Sequence, residues 1–501
     1  MTVTLFSLGI STDAIGIRIL SSILKEQGHT TRLIFLPSME DLHRRATGAT
    51  YEYPASVLDK IIEICRGSDL IGLSLMTHHV SVAKSLTEHI KSKLPTPVIW
   101  GGIHPTVSPA ESLEAADIVC VGDGETSVPM LLDRMAKGGD VSDIPGIWTK
   151  RDGAVRPNGG GPLTADLDSL PFPDYSFENH HLLVDEALVP MTATNWRDHL
   201  LKFFPPLNSG PKAGPAYQIL SARGCPFRCT FCGETPLEEE VYGARYFRRR
   251  SVGNILEELR WAVQTFPFIG EICFCDDTFT SRPLKEIEEF ARGYKEQIGL
   301  PFYILTSPAN VSTEKIDLLV DAGLTNIGMG IQSGSNRTID LYGRQRVGSV
   351  EQSLKAAQIM NRHKGRLLPY YDFIIENPFE NREDLAETVR LLIRLPRPYR
   401  TRVYALSFFP GTKLYAKADA AGLLHATMYD KTFGQRTESG YLSFIIDMNK
   451  YNIPRVLLLV LVSKPFLFLF NRSPVDRVCL RLHQALKWAA MKMRINDSGL
   501  S

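Results

Sequence analysis

Three cysteines at CxxxCxxC spacing, Cys225, Cys229 and Cys232, stand in the stretch Ser221–Cys232 and are the residues of this chain best placed to do chemistry. Three thiolates on one short bend can hold three irons of a cubic iron–sulfur cluster and leave the fourth open, whereas a closed cluster or a structural zinc ion wants a fourth local ligand. No fourth cysteine follows nearby. An open iron is a place where a small molecule can coordinate and receive an electron. A three-thiol zinc site is the alternative reading of the same spacing.

The elements around this loop alternate strand and helix about six times from Tyr217 to about Thr412, the repeat of a partial or complete parallel barrel with reactive groups at the carboxyl ends of its strands. The cysteine loop follows the strand Tyr217–Ser221. The strand Glu271–Cys275 runs into Asp276-Asp277-Thr278-Phe279, and adjacent carboxylates at a strand end alternate faces, so one can point at the barrel mouth while the other points away. Asn326–Gln332 runs into Ser333-Gly334-Ser335, and Arg344 and Arg346 follow. A guanidinium can grip a carboxylate bidentately, though surface exposure accounts for either arginine equally well. The basic run Arg245–Arg250, interleaved with Tyr246 and Phe247, precedes an amphipathic helix capped by Ser251 and reads as a solvated helix entry, not a nucleic-acid site.

Ahead of this region, residues 1 to 137 carry short apolar runs (Val3–Leu8, Arg32–Leu36, Leu70–Leu75, Val98–Trp100, Ile118–Val121) separated by helices such as Ile15–Gln27, which predicts a Rossmann-like, doubly wound parallel sheet. Ligands of such sheets sit outside the carboxyl ends of the strands. The loops to watch are therefore Met76-Thr77-His78-His79, Gly101-Gly102-Ile103-His104-Pro105-Thr106 and Gly122-Asp123-Gly124-Glu125-Thr126. A phosphate-loop pattern is absent. Residues 138–215, rich in Gly, Pro and Asp, read as a linker, with Pro171 and Pro173 holding Leu167–Tyr175 extended and the part containing Trp196, Phe203 and Phe204 forming a lid or substrate-facing insertion. The barrel spans 216–412, and 413–501 is mainly helical. There, Val456–Val462 and Phe466–Phe470, split by Ser463-Lys464-Pro465, fall short of the roughly 20 residues a membrane span needs. They either pack on the barrel or lie in a membrane interface with Arg472, Arg477 and Arg481 toward the headgroups.

At 501 residues the chain should form two to four domains. Its 56 Lys and Arg against 55 acidic residues leave a net charge of +1, so no global field points to nucleic acid or to an anionic membrane. The other five of the eight cysteines (Cys65, Cys120, Cys273, Cys275, Cys479) lie in apolar or strand-like contexts and read as buried free thiols of a reducing cytoplasm. The amino terminus, without a charged lead or cleavage site, reads as a first strand.

The cysteine loop, with Phe231 before its third cysteine, resembles that of the radical S-adenosylmethionine enzymes. The glycine loops resemble the cobalamin-binding domain that precedes many of their cores. The strings Tyr371–Pro378 and Tyr404–Tyr415 are similar to later strand-to-loop junctions of the same core. The resemblance implies an α/β protein: a Rossmann-like cobalamin domain, then a (β/α)6 partial TIM barrel and a helical C-terminal region. It also implies three cofactors, a 4Fe-4S cluster on Cys225, Cys229 and Cys232, S-adenosylmethionine and cobalamin. For S-adenosylmethionine it places Phe231 on the adenine, Asp276 and Asp277 near the methionine ammonium, Gln332 (where glutamate is commoner) with Ser333 at the ribose, and Arg344 at the carboxylate. For cobalamin it implies Met76, Thr77, Gly101, Gly102, His104, Thr106, Gly122, Gly124 and Glu125. The Asp-x-His-x-x-Gly motif that supplies an imidazole to cobalt is missing, and the nearest string, Asp13-Ala14-Ile15-Gly16, has no histidine, so no protein histidine on cobalt is expected. The implied activity is hydrogen abstraction from an unactivated carbon by a 5'-deoxyadenosyl radical, followed by methyl transfer from methylcobalamin to a small-molecule or lipid-like substrate. The electron would come from a flavodoxin or ferredoxin type donor. A cobalamin-containing oxidase, cyclase or ring-rearranging enzyme, and a non-catalytic cofactor carrier, are the alternatives.

Overall fold

The structure is a computed structural model that describes residues 1–9, 11–37, 52–207, 213–243, 246–424, 440–451, 453–468, 478 and 481, with the backbone alone at 469–470. The expected roles of Arg245, Arg472, Arg477 and Cys479 lie outside the described residues. The chain divides into two compact units. One comprises Met1–Pro205, Cys232–Ser251 and a stretch beginning at Phe409; the other comprises Pro206–Phe231, Val252–Phe408 and the C-terminal helices from Tyr441.

The first unit is built on a nine-stranded sheet: β1 (Thr2–Ser7), β2 (Thr30–Phe35), β3 (Leu70–Ser74), β4 (Val98–Gly101), β5 (Ile118–Cys120), β6 (Ile147–Arg151), β7 (Ala154–Arg156), β8 (His180–Val184) and β9 (Ala187–Pro190), in the order β7-β6-β5-β4-β3-β1-β2-β8-β9. The parallel core β5-β4-β3-β1-β2 is doubly wound, and its order reverses between β1 and β3, the point where such sheets bind ligands. Its strands read as apolar runs without strict alternation because both faces are buried: Val3, Phe6, Leu33 and Ile71 are each fully inaccessible. The close fit needs Gly72, where a Cβ would lie 2.8 Å from the Leu5 side chain across the β1–β3 register.

Residues 138–215, expected as a linker, instead extend this sheet at both edges. β6 and β7 form a hairpin antiparallel to β5, β8 runs parallel to β2, and β9 returns against β8. These strands are three to five residues long and β6 buries only Ile147, so they carry too few apolar residues to show a period. The proline-bounded segment is held by burial, not only by proline. Arg18, fully buried, donates to Asp174 O at 2.6 Å with its guanidinium over the Phe35 and Tyr175 rings, while the Asp174 carboxylate accepts from Ser21 Oγ at 2.6 Å and pairs with Lys25 at 2.9 Å. Trp196, expected in a lid, is a core side chain 5.0 Å from Tyr175 and 5.7 Å from Phe177.

The second unit contains six parallel strands in sequential order: β10 (Ala216–Ile219), β11 (Glu271–Phe274), β12 (Phe302–Thr306), β13 (Leu324–Gln332), β14 (Leu368–Ile375) and β15 (Arg400–Ala405). Each crosses to the next through a helix, the winding of an open (β/α)6 barrel. The helix Leu284–Gln297 places Ile287, Phe290, Ala291 and Tyr294 on one stripe, and Phe290 and Tyr294 interlock with Phe274 and Phe302 from the sheet and Phe279 from the turn after β11. β14 alternates buried and half-buried positions, so Tyr370, Asp372 and Ile374 share the less covered face. At the C-terminus, Tyr441–Met448 buries Leu442, Ile445 and Ile446, but the next helix, Arg455–Leu461, buries only Leu458. Among the described residues of this run Leu458 is fully buried, and Leu461, Val462, Phe466 and Leu467 are half-buried. Among the described residues, no helix is long and apolar enough to cross a membrane.

Candidate iron–sulfur and cofactor site

In the second unit, the cysteine loop is anchored at its base by two buried charges. Asp276, at the end of β11, accepts from Ser221 N at 2.6 Å, Ala222 N at 3.0 Å and the Ser221 hydroxyl; Arg282 donates to Ser221 O at 2.8 Å. Burial pushes the Asp276 carboxyl above its usual range, opposed by the Arg282 cation and these hydrogen bonds. The expectation that Asp276 meets the methionine ammonium is therefore corrected: its oxygens are taken up in tying β10 to β11. Asp277 lies exposed, as alternation along the strand requires.

Further along, Thr230 N donates to Tyr342 O at 3.0 Å and Thr230 Oγ1 to Leu341 O at 2.8 Å, while the half-buried Phe231 ring stands edge-on to Tyr342 at 4.9 Å. Arg344 is buried. Its Nη1 donates to Cys229 Sγ at 3.3 Å and its Nη2 to Gly330 O at 2.7 Å, so one cation joins a loop thiol to β13. Its Nε has no hydrogen-bond partner among the described residues. Arg346 is on the surface.

Cys229 is buried and Cys225 and Cys232 are half-buried. Among the described residues no three His, Cys, Asp or Glu side chains converge as around one ion. A single zinc would need every sulfur about 2.3 Å from one centre, whereas a cube offers a separate iron to each thiolate.

Gln332 ends β13 in the left-handed region at φ 72°, after a register shift between Gly330 and Gln332. A Cβ on Gly330 would lie 2.6 Å from Gln332 Nε2, so the glycine leaves room for that side chain. Ser333, expected at the ribose, is buried and bonds inside the protein, 3.2 Å from Glu380 Oε1 and 3.4 Å from Thr388 Oγ1. Burial pushes Glu380 up to about 7. One charged group escaped sequence reasoning: Arg402 on β15 pairs with Asp372 on β14 at 2.6 Å and donates to Tyr303 on β12 at 2.8 Å. The signal was Gly328, two residues before Gly330, since a Cβ there would collide with Tyr303 and Arg402.

In the first unit, the loops after β3, β4 and β5 are clipped to one another. Leu75 N donates to Gly101 O at 2.8 Å, and the Thr106 hydroxyl donates to Gly102 O at 2.8 Å and accepts from Gly122 N at 3.0 Å. Gly102, at φ 96°, lets the loop pass Leu75, whose O would be 2.7 Å from a Cβ. Met76 is half exposed and Thr77, Gly101, Gly124 and Glu125 are half-buried, with Gly124 and Glu125 opening the helix Gly124–Ala136. His104 is fully inaccessible, and burial pulls it below its ordinary value; His79 is likewise buried and pulled down to about 3, which keeps it neutral. His104 is thus enclosed within its loop, with both ring nitrogens without a hydrogen-bond partner among the described residues. Gly122 is also occupied: a Cβ would lie 2.6 Å from Tyr242 Oη, which donates to Asp123 at 3.0 Å, beside Arg248 at 3.1 Å. Arg248, one of the basic run, is buried and also donates to Thr164 O at 2.6 Å.

The chain matches the B12 binding domain over residues 1–132 and the radical SAM superfamily over residues 219–392. It is 27% identical over 428 residues to the uncharacterized methyltransferase PH0819 of Pyrococcus horikoshii, covering 83% of this chain and 80% of that one. It is 23% identical over 333 residues to the anaerobic magnesium-protoporphyrin IX monomethyl ester cyclase of Rubrivivax gelatinosus, covering 64% and 54%. The fold is similar to that of the radical S-adenosylmethionine methyltransferase TsrM from Kitasatospora setae, solved with cobalamin and a 4Fe-4S cluster bound: TM-score 0.61, 16% identity, 84% of this chain and 75% of that chain.

A parallel (β/α)6 core with a three-thiol loop, preceded in the chain by a doubly wound domain, is the scaffold of enzymes that join an open iron–sulfur cluster to S-adenosylmethionine. Residues 1–132 carry a B12 binding domain and residues 219–392 a radical SAM domain, the pairing found in cobalamin-binding radical S-adenosylmethionine enzymes. Its cofactors are those of the family, a 4Fe-4S cluster, S-adenosylmethionine and cobalamin.

Proposed function

We propose that this enzyme methylates an unactivated carbon of a small-molecule or lipid-like metabolite. When bound, the cofactors supply a reducing electron, a radical that takes hydrogen from carbon, and a methyl group. The residues of the chain hold and orient them. Cys225, Cys229 and Cys232 are the cluster ligands. Arg344 donates to the Cys229 sulfur, and its Nε is left for a carboxylate. The Gln332 amide both donates and accepts, as a sugar diol requires. Phe231 offers a ring face for a base, and Asp277 is the exposed carboxylate of its pair. Met76, Thr77, Gly101, Gly124 and Glu125 form the accessible part of the cobalamin loops, while Asp276, Ser333, Gly102, His104, Thr106 and Gly122 position their neighbours. An electron donor of the flavodoxin or ferredoxin type and a reducing cytoplasm complete the reading.

The single observation that supports it most is Arg344 bridging a loop thiol to the strand that carries Gln332. The test is anaerobic turnover of reconstituted enzyme with S-adenosylmethionine labelled in its methyl group, metabolite extract and a strong reductant. Methyl transfer predicts 5'-deoxyadenosine together with a product carrying the label. 5'-Deoxyadenosine without labelled product would reject methylation in favour of oxidation or cyclisation, the reading favoured by the cyclase relative. No change in the cluster's electron-spin resonance on adding S-adenosylmethionine would leave a carrier.

A further inference from the structure

The C-terminal helices place large apolar side chains in water. Tyr451 is 65% exposed, Val456 74%, Leu457 47%, Leu459 54%, Val460 42% and Phe468 69%. These six fall within 18 residues, a concentration that a soluble surface seldom carries without a partner. The first helix is not frayed. Leu458 is fully buried as its one foot, Arg455 donates to Leu395 O at 2.6 Å, and Tyr441 Oη donates to Leu461 O at 3.1 Å. The apolar face is therefore held outward by packing and hydrogen bonds beneath it.

Charge says what would cover that face. From Lys450 to Ser501 the sequence has nine Lys and Arg against two Asp, a surplus of seven in a chain whose total is only +1. The rest of the chain is accordingly acidic, and in the sequence the basic charge flanks and follows the apolar residues. A second copy would bring one basic segment against another and pay in repulsion, whereas an anionic lipid surface takes both the side chains and the charge. The helix Arg455–Leu461 is seven residues long, and among the described residues no helix is long and apolar enough to cross a bilayer, so this apolar face is suited to lying in its interface.

We propose that this helix pair seats the enzyme on an anionic membrane surface. The proposal is independent of the methyl-transfer reading and would hold for any chemistry at the cysteine loop. The surface would give the enzyme access to a substrate dissolved in the bilayer.

The test is flotation of the full-length protein with phosphatidylcholine vesicles, with and without phosphatidylglycerol. The protein should float with the anionic vesicles and be released by high salt. The double variant Val456→Asp, Phe468→Asp should lose at least about tenfold in partitioning, because each substitution removes apolar groups and adds a like charge to the lipid. Both side chains are exposed, so cluster absorbance and circular dichroism should match the unmodified protein. Three results would overturn the proposal: protein that stays with the solution in both lipid mixtures, a double variant that floats equally well, or a stable dimer that these substitutions dissociate.

Discussion

Asp276→Ala separates a residue that builds the cysteine loop from one that binds S-adenosylmethionine. The carboxylate serves three donors, Ser221 N, Ala222 N and the Ser221 hydroxyl, and all belong to the first two residues of the loop. Leaving a buried donor unsatisfied costs roughly 1–3 kcal/mol. Three would sum to more than the expected loss, because the carboxylate itself is incompletely compensated for its burial, as its raised pKa indicates, and removing it returns part of that cost. Arg282 keeps Ser221 O and Glu286 as partners. The net expectation is about 3 kcal/mol for Asp276→Ala and about half that for Asp276→Asn, whose amide oxygen still accepts. Both losses should appear in protein stripped of cluster and S-adenosylmethionine, measured by hydrogen exchange of β10 and β11 in urea. If Asp276→Ala changes that stability by less than about 0.5 kcal/mol and instead weakens S-adenosylmethionine binding tenfold or more, the carboxylate faces the ligand and the reasoning fails.

Arg344→Gln removes a cation from Cys229, so the cluster's midpoint potential should move negative in an electron-spin resonance redox titration; an unchanged potential would put the guanidinium elsewhere in the loaded enzyme. Gly122→Ala drives a Cβ into Tyr242 at a φ of 92°, and should destabilise the first unit by about 1–3 kcal/mol, with partial recovery on adding Tyr242→Phe, read by thermal unfolding. Glu380, pushed up to about 7 from an ordinary 4.5, holds its proton more tightly folded than unfolded. Its contribution is therefore present below about pH 4.5 and lost as pH rises to about 7. Glu380→Gln should flatten stability over that window by at most on the order of 3 kcal/mol, and a profile identical to the unmodified protein would contradict the burial assigned to it.

The sequence by itself determined the cysteine loop and the two parallel sheets. A three-thiol loop is written in local spacing, and parallel strands buried on both faces announce themselves as apolar runs such as Leu70–Leu75. It also marked the loops after β4 and β5, because glycines follow those runs directly, and the loop after β3 by its place at a strand end. What only tertiary structure decided was which polar side chains are already spoken for. Asp276, Ser333 and His104 have the right type at the right strand ends, yet each is buried, and Asp276 and Ser333 are bonded to residues 47 to 55 positions away. The same holds for β6 to β9, short edge strands whose place comes from the sheet they join, and for Arg402, whose partners lie on two other strands. Spacing along the chain reports what a residue can do; whether its hydrogen-bonding capacity is left over depends on contacts between distant segments, which local patterns do not encode.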